Sequence, residues 1–197
     1  MTETAAHQPP FQITRVAIIG AGVAGRSFAL ACAAAGFFVV LEDVMPAKLR
    51  RAEAEYADAS LRGAFGALQL ASTVEEAVRE ADIAIDFVPD ELESKLEIFS
   101  MIDRMAPPKT ILCTPSYALS ITDLASCVYR PDRCIAVRGD LTAKAANIRL
   151  LHPANASKSV LAASEDFLQA LSLKTATEPD PDPDVPMLMK NSPSVPA

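Results

Sequence analysis

The 197-residue sequence predicts an α/β fold, a doubly wound parallel sheet covered by helices on both faces and built as a single domain. Three observations carry that prediction. Short apolar runs alternate with helical stretches from Arg15 to Leu173. Several of the runs are apolar at every position, as strands covered on both faces should be. The first run ends in a glycine-rich turn that opens directly into a helix.

Each element is readable in turn. Residues 1–13 form a polar, proline-containing lead-in. RVAIIG (15–20) has strand length, and the Ala-rich VAGRSFALACAAAG (23–36) is a helix closed by Gly36. FFVVLED (37–43) is a strand, residues 47–62 are helical and charged, and LQLAS (68–72) is a short strand. TVEEAVREA (73–81) is a short helix with Thr73 at its N-cap. DIAIDFV (82–88) is a strand and ELESKLEIFSMIDRM (91–105) an amphipathic helix. KTILCT (109–114) and RCIAVRG (133–139) are strands flanking the helical SITDLA (120–125). NIRLLH (147–152) is a strand, and SKSVLAASEDFLQALSL (157–173) closes the pattern as an amphipathic helix. Six prolines in 178–197 exclude an element interior, so the domain is expected over 14–177 with a linker or disordered tail after it.

Composition narrows the function classes. A net charge of −7 argues against binding nucleic acid or an anionic membrane. No apolar run has the length to cross a bilayer, and MTETAAHQPPFQ lacks the basic start and apolar stretch of a signal peptide. Cys32, Cys113, Cys127 and Cys134 show no CxxC spacing and lie in apolar runs, which predicts buried, reduced thiols in a cytoplasmic chain and no metal site.

GAGVAG (20–25) fits GxGxxG in the place where that pattern has a mechanism, after a strand and at the start of a helix. Gly20 permits the tight turn, Gly22 lets the backbone approach a pyrophosphate, and Gly25 lets helix and sheet pack closely. The free N–H groups and dipole of the helix start then favour the phosphates. Asp43, at the end of the second strand, stands where an acid should meet the adenosine ribose, and with Glu42 it would repel a 2′-phosphate. The cofactor expected in this Rossmann-type fold is therefore NAD rather than NADP.

From Val16 to Leu173 the chain resembles the N-terminal, NAD-binding domain of the 3-hydroxyacyl-CoA dehydrogenases. VAIIGAGVAGRSFA looks like that family's first strand and loop, with Ala24 in place of its usual methionine. DIAIDFVPDELESKLEIF is similar to its strand, V-P-E and helix. APPKTILCTPSYALSITDLA resembles A-P-P-x-T-I-L-x-S-N-T-S-S-L-S-I-T-x-L-A, and RPDRCIAV resembles the R-P-x-R-F-I-G-x that follows. The resemblance implies two further cofactor contacts, Asp90 and Lys95; read without it, that pair is a solvated helix start.

Departures gather where the family's chemistry belongs. Its catalytic serine position is Tyr117, the next serine is Ala118, and the upstream asparagine is Pro115. Its H-F-F-N-P segment, which supplies the general base, is occupied by Arg138, Gly139, Asp140, Leu141 and Thr142, and the glutamate that orients the histidine falls on Leu150. Oxidising an alcohol needs a proton acceptor, which arginine cannot be, and loss of a positioned base costs on the order of 10² to 10⁴ in rate. His7 lies in the lead-in, and His152 reads as a strand-end or surface residue. The family's longer helical excursion after the second strand and its helical C-terminal domain have no counterpart in the sequence.

Two readings follow. One is an NAD-dependent oxidoreductase on an unidentified small-molecule substrate, its active site rebuilt around Tyr117 and Arg138 with Ser116 and Asp140; the same residues equally suit drift in an unused pocket. The other is a non-catalytic NAD(H)-binding sensor or accessory protein. A remnant that no longer binds dinucleotide is disfavoured by Gly20, Gly22, Gly25 and Asp43 together. In either reading a homodimer, or a complex with a helical partner, is expected to cover the cleft.

Overall fold

A computed structural model describes residues 11–181 apart from 62, 64, 65 and 144. His7 and residues 182–197 of the expected tail lie outside the described residues. The elements are β1 (Arg15–Ile19), α1 (Val23–Ala34), β2 (Phe38–Glu42), α2 (Pro46–Ser60), β3 (Leu68–Ala71), α3 (Val74–Val78) and β4 (Ile83–Asp86). They continue with α4 (Leu92–Met105), β5 (Ile111–Pro115), α5 (Ile121–Ala125), β6 (Cys134–Arg138), β7 (Asn147–His152), α6 (Lys158–Ala170) and β8 (Lys174–Pro179).

The eight strands form one sheet in the order β3-β2-β1-β4-β5-β6-β7-β8. All neighbours from β3 to β6 pair parallel, as the alternating sequence predicts. β7 then runs antiparallel to β6, and β8 parallel to β7. The reversal has a simple cause: residues 139–146 link β6 to β7, and a parallel crossover needs a longer connection. Gly139 begins that link at φ +138°, where a Cβ would lie 2.7 Å from Ile148 Cδ1.

The two faces of each strand bury different helices. Val16, Ile18, Leu41, Ile85, Val137 and Leu150 pack with Phe28 of α1 and Phe167 of α6. Ala17, Ile19, Ala84, Leu112 and Ala136 pack on the opposite side with Val78, Phe99, Ile102 and Leu124 of α3, α4 and α5. Ile13 belongs to the first core, and Phe11 lies against it with the Arg133 guanidinium 5.4 Å from its ring centre. The end of the lead-in is therefore part of the domain.

The boundary expected at 177 falls inside β8. Beyond it, Asp180 is buried: its N–H donates to the His152 carbonyl, and its Oδ2 accepts from the Ser120 hydroxyl at 2.5 Å and the Thr122 N–H at 2.9 Å. The start of the supposed tail thus holds the N-terminus of α5. Three of the four cysteines are buried, their thiols pushed up by desolvation, whereas Cys127 is exposed. No helix among the described residues is long and apolar enough to cross a membrane, and no cluster of His, Cys, Asp and Glu there would hold a metal.

Candidate nucleotide site and substrate-side loop

Strand order reverses between β1 and β4, and the carboxyl ends of β1, β2 and β4 meet there, the place where open α/β sheets bind ligands. A cleft of about 730 Å³ opens at that point. It is lined by Gly20, Gly22, Glu42, Asp43 and Lys48 on one side and by Phe87, Val88, Glu97 and Met101 on the other.

The three loop glycines do different work. Gly20 has φ +102°, and its missing Cβ would meet the Phe87 carbonyl at 3.2 Å. A Cβ on Gly25 would stand 1.9 Å from the Gly20 carbonyl oxygen, so α1 can approach β1 only with glycine there. Gly22, the N-cap of α1, faces open space, with nothing within 4 Å of the Cβ position, and no side chain caps the helix. The first-turn N–H groups are thus left to an anionic ligand, and the residues present fit the diphosphate of a dinucleotide.

Asp43 lies beside that turn. Its Oδ2 accepts from the Ala21 N–H and from Lys48 Nζ, both at 2.9 Å, and its Oδ1 accepts from the Met45 N–H at 2.8 Å. Burial alone would raise its carboxyl, but Lys48, Met45 and Ala21 outweigh burial and hold it below its ordinary value. Glu42 moves the other way, raised by desolvation and by the neighbouring Asp43 charge. Behind the loop, buried Arg26 donates from NH1 to the Ala21 carbonyl at 2.9 Å and from Nε to Glu55 at 3.2 Å.

Asp90 and Lys95, grouped with the cofactor residues by resemblance, are drawn to other work. Lys95 is only 1% exposed; its ammonium meets Asp86 Oδ1 at 2.5 Å and the Pro115 carbonyl at 3.1 Å. Burial pushes the Asp86 carboxyl up against the pull of that ammonium. Asp90 is exposed and accepts the Tyr117 N–H at 3.0 Å. Arg138, at the end of β6, donates to the Ser116 and Leu119 carbonyls at 3.2 and 3.3 Å. The buried Ser116 hydroxyl accepts the Leu119 N–H at 3.0 Å. The loop over 115–119 is therefore fastened by Lys95, Asp90 and Arg138, and it carries Tyr117 outward, 68% exposed.

The other substrate-side candidates are accounted for locally. Asp140 is exposed, and its Oδ1 takes both the N–H and the hydroxyl of Thr142. Leu150 is fully buried in the sheet core. His152 sits at the far end of β7; because β7 runs backwards, with Arg149 opposite Arg138, that end lies beside the amino-terminal end of β6, opposite the strand ends that form the cleft. Its Nδ1 is 2.9 Å from the Pro153 carbonyl. Sequence reasoning passed over Lys48, although Pro46 at the helix start and a lysine five residues after Asp43 place it over that carboxylate. Arg26, directly after the third glycine, was equally visible.

A sequence model of the family described as 3-hydroxyacyl-CoA dehydrogenase, NAD binding domain, matches residues 15–138. A probable 3-hydroxybutyryl-CoA dehydrogenase of Bacillus subtilis is 32% identical over 137 residues, covering 63% of this chain and 47% of that protein. A lambda-crystallin homolog of Rattus norvegicus is 32% identical over 134 residues, covering 61% and 42%. The chain thus spans under half the length of these relatives. Among solved structures, an (S)-3-hydroxybutyryl-CoA dehydrogenase of Ralstonia eutropha shares the fold with a TM-score of 0.75 at 24% identity, over 86% of this chain and 64% of that one. A 5-formyl-3-hydroxy-2-methylpyridine 4-carboxylic acid 5-dehydrogenase, described as an NAD⁺-dependent dismutase, gives 0.75 at 23% identity over 91% and 61%.

Proposed function

The chain belongs to the 3-hydroxyacyl-CoA dehydrogenase NAD-binding domain family, and from that premise we propose that it is an NAD-dependent oxidoreductase acting on something other than a 3-hydroxyacyl thioester. The observation that carries this reading is Arg138: it occupies the base position of the family, and its guanidinium is spent on the Ser116 and Leu119 carbonyls. Bound in this cleft, NAD would supply the hydride acceptor for the oxidation. Gly20, Gly22 and Gly25 shape the pyrophosphate turn, and Asp43 faces the adenosine ribose. On the substrate side, Arg138, Asp90 and Lys95 hold the loop still, and Tyr117 offers a phenolic hydroxyl as the proton path.

Calorimetric titration with NADH, followed by NADH formation from a panel of 3-hydroxyacyl-CoA thioesters and free hydroxy acids, tests this. We expect binding, turnover of a non-thioester, and loss of that turnover in Tyr117→Phe. Robust thioester turnover would refute the substrate assignment, and an active Tyr117→Phe would refute the tyrosine's role. The non-catalytic reading draws support from Arg138 and Asp140, both already engaged within the chain; NADH binding with no turnover across the panel would favour it. For assembly we propose a homodimer or a helical partner over the cleft rim, where Val23, Val44 and Met45 are exposed. A monomeric mass by light scattering at tens of micromolar, with no partner recovered, would count against it.

A further inference from the structure

Lys48 is in an unexpected place. It lies in the first turn of α2, where the helix dipole disfavours a cation and where no acidic residue of the helix compensates. What holds it is Asp43, outside the helix, at 2.9 Å. The pair is asymmetric: the Asp43 side chain is 5% exposed and that of Lys48 41%, so the ammonium is the outer member. Both line the cleft beside Gly20 and Gly22.

The carboxylate has little capacity left. Ala21 and Lys48 share Oδ2, and Met45 occupies Oδ1, while a carboxylate has about four lone-pair sites in all. A ribose arriving at Asp43 thus meets a carboxylate already carrying a cation. The lysine has three N–H donors, enough to keep Asp43 and to reach a further acceptor.

We propose that Lys48 is a specificity-determining residue for the nucleotide: set against Asp43, its ammonium offsets the repulsion of a 2′-phosphate, so the chain admits the phosphorylated dinucleotide more readily than Asp43 alone allows. NADH remains the preferred ligand, because buried Asp43 and Glu42 still face that position. The proposal rests on the assignment of this cleft to the dinucleotide.

The test is a pair of dissociation constants, for NADH and NADPH, measured by calorimetry on the full chain and on Lys48→Met and Lys48→Arg. Met keeps the aliphatic stem and removes the charge; melting temperature reports whether each variant folds. In Lys48→Met, NADPH should weaken by about fivefold more than NADH, the size expected of a partly exposed charge interaction, and Lys48→Arg should restore the ratio. Equal changes for the two nucleotides, or a wild type that binds NADH with no measurable NADPH binding, would overturn the proposal alone. A folded wild type that binds neither would overturn the assignment of the cleft itself.

Discussion

Gly22 and Gly25 stand three residues apart and should fail in opposite ways. Gly22→Val places its side chain in open space, so melting temperature should stay nearly unchanged while NADH binding is lost, because the side chain fills the room left for the pyrophosphate. Gly25→Ala drives a methyl to within 1.9 Å of a backbone oxygen, so α1 must move off β1, at a cost of about 1–3 kcal/mol in stability. Thermal melts and NADH titration on both variants separate the two effects; a Gly22→Val protein that binds normally would refute the placement of the pyrophosphate. Asp82 supplies a second single-residue case. Its Oδ2 accepts from the Thr14 N–H, the Thr14 hydroxyl and the Arg15 N–H, each at 2.9 Å, and Lys109 meets Oδ1 at 2.5 Å. Burial would raise this carboxyl, but the four donors prevail and hold it below its ordinary value. A depressed acid stabilises the fold fully above its unfolded pKa of about 3.9 and stops doing so as pH falls through the lower folded value. Melting temperature should therefore drop below about pH 4, and Asp82→Asn should flatten that drop while costing on the order of 1–3 kcal/mol at neutral pH.

Elements were legible where local chemistry and packing agreed. Thr73 caps α3 as expected, accepting the Glu76 N–H through its side chain, and NIRLLH occupies the span the sequence assigns to it. β8 was not foreseen because KTATEP is polar and ends in proline, so its partly alternating burial is carried by threonines and neither apolar alternation nor an apolar run marks it in the sequence. The direction of β7 was equally hidden, since an apolar strand reads the same either way and only the short 139–146 link decides it. That direction also settles His152, which in a parallel strand would have ended beside the cleft. The 115–119 loop offers a prediction at this scale. Arg138→Met removes the bonds to the Ser116 and Leu119 carbonyls, so amide exchange over 116–119 should accelerate by about tenfold, corresponding to roughly 1.4 kcal/mol, with the sheet amides unaffected. Unchanged exchange there would show that Asp90 and Lys95 suffice to hold the loop.

At the scale of the molecule, the sequence exposed the glycine turn and the acid beside it more clearly than the arrangement of the 115–119 loop. A glycine turn and an acid at a strand end are fixed by backbone geometry, so spacing alone reveals them. The identity of a proton acceptor depends on which side chains a fold brings together, and spacing alone does not reveal it. Lys95 shows the limit of transfer by position: the residue is present, but a buried Asp86 draws it inward. The clasp between Asp180 and α5 has a consequence for how motion spreads. Ser120, sixty residues away in sequence, is bonded to Asp180, and it directly follows Leu119, whose carbonyl Arg138 grips. The end of β8 and the rim that bears Tyr117 therefore share one short mechanical linkage, and slack introduced at one end should be felt at the other. In Asp180→Ala the Thr122 amide should lose its protection first, and exchange of the Tyr117 amide should quicken with it.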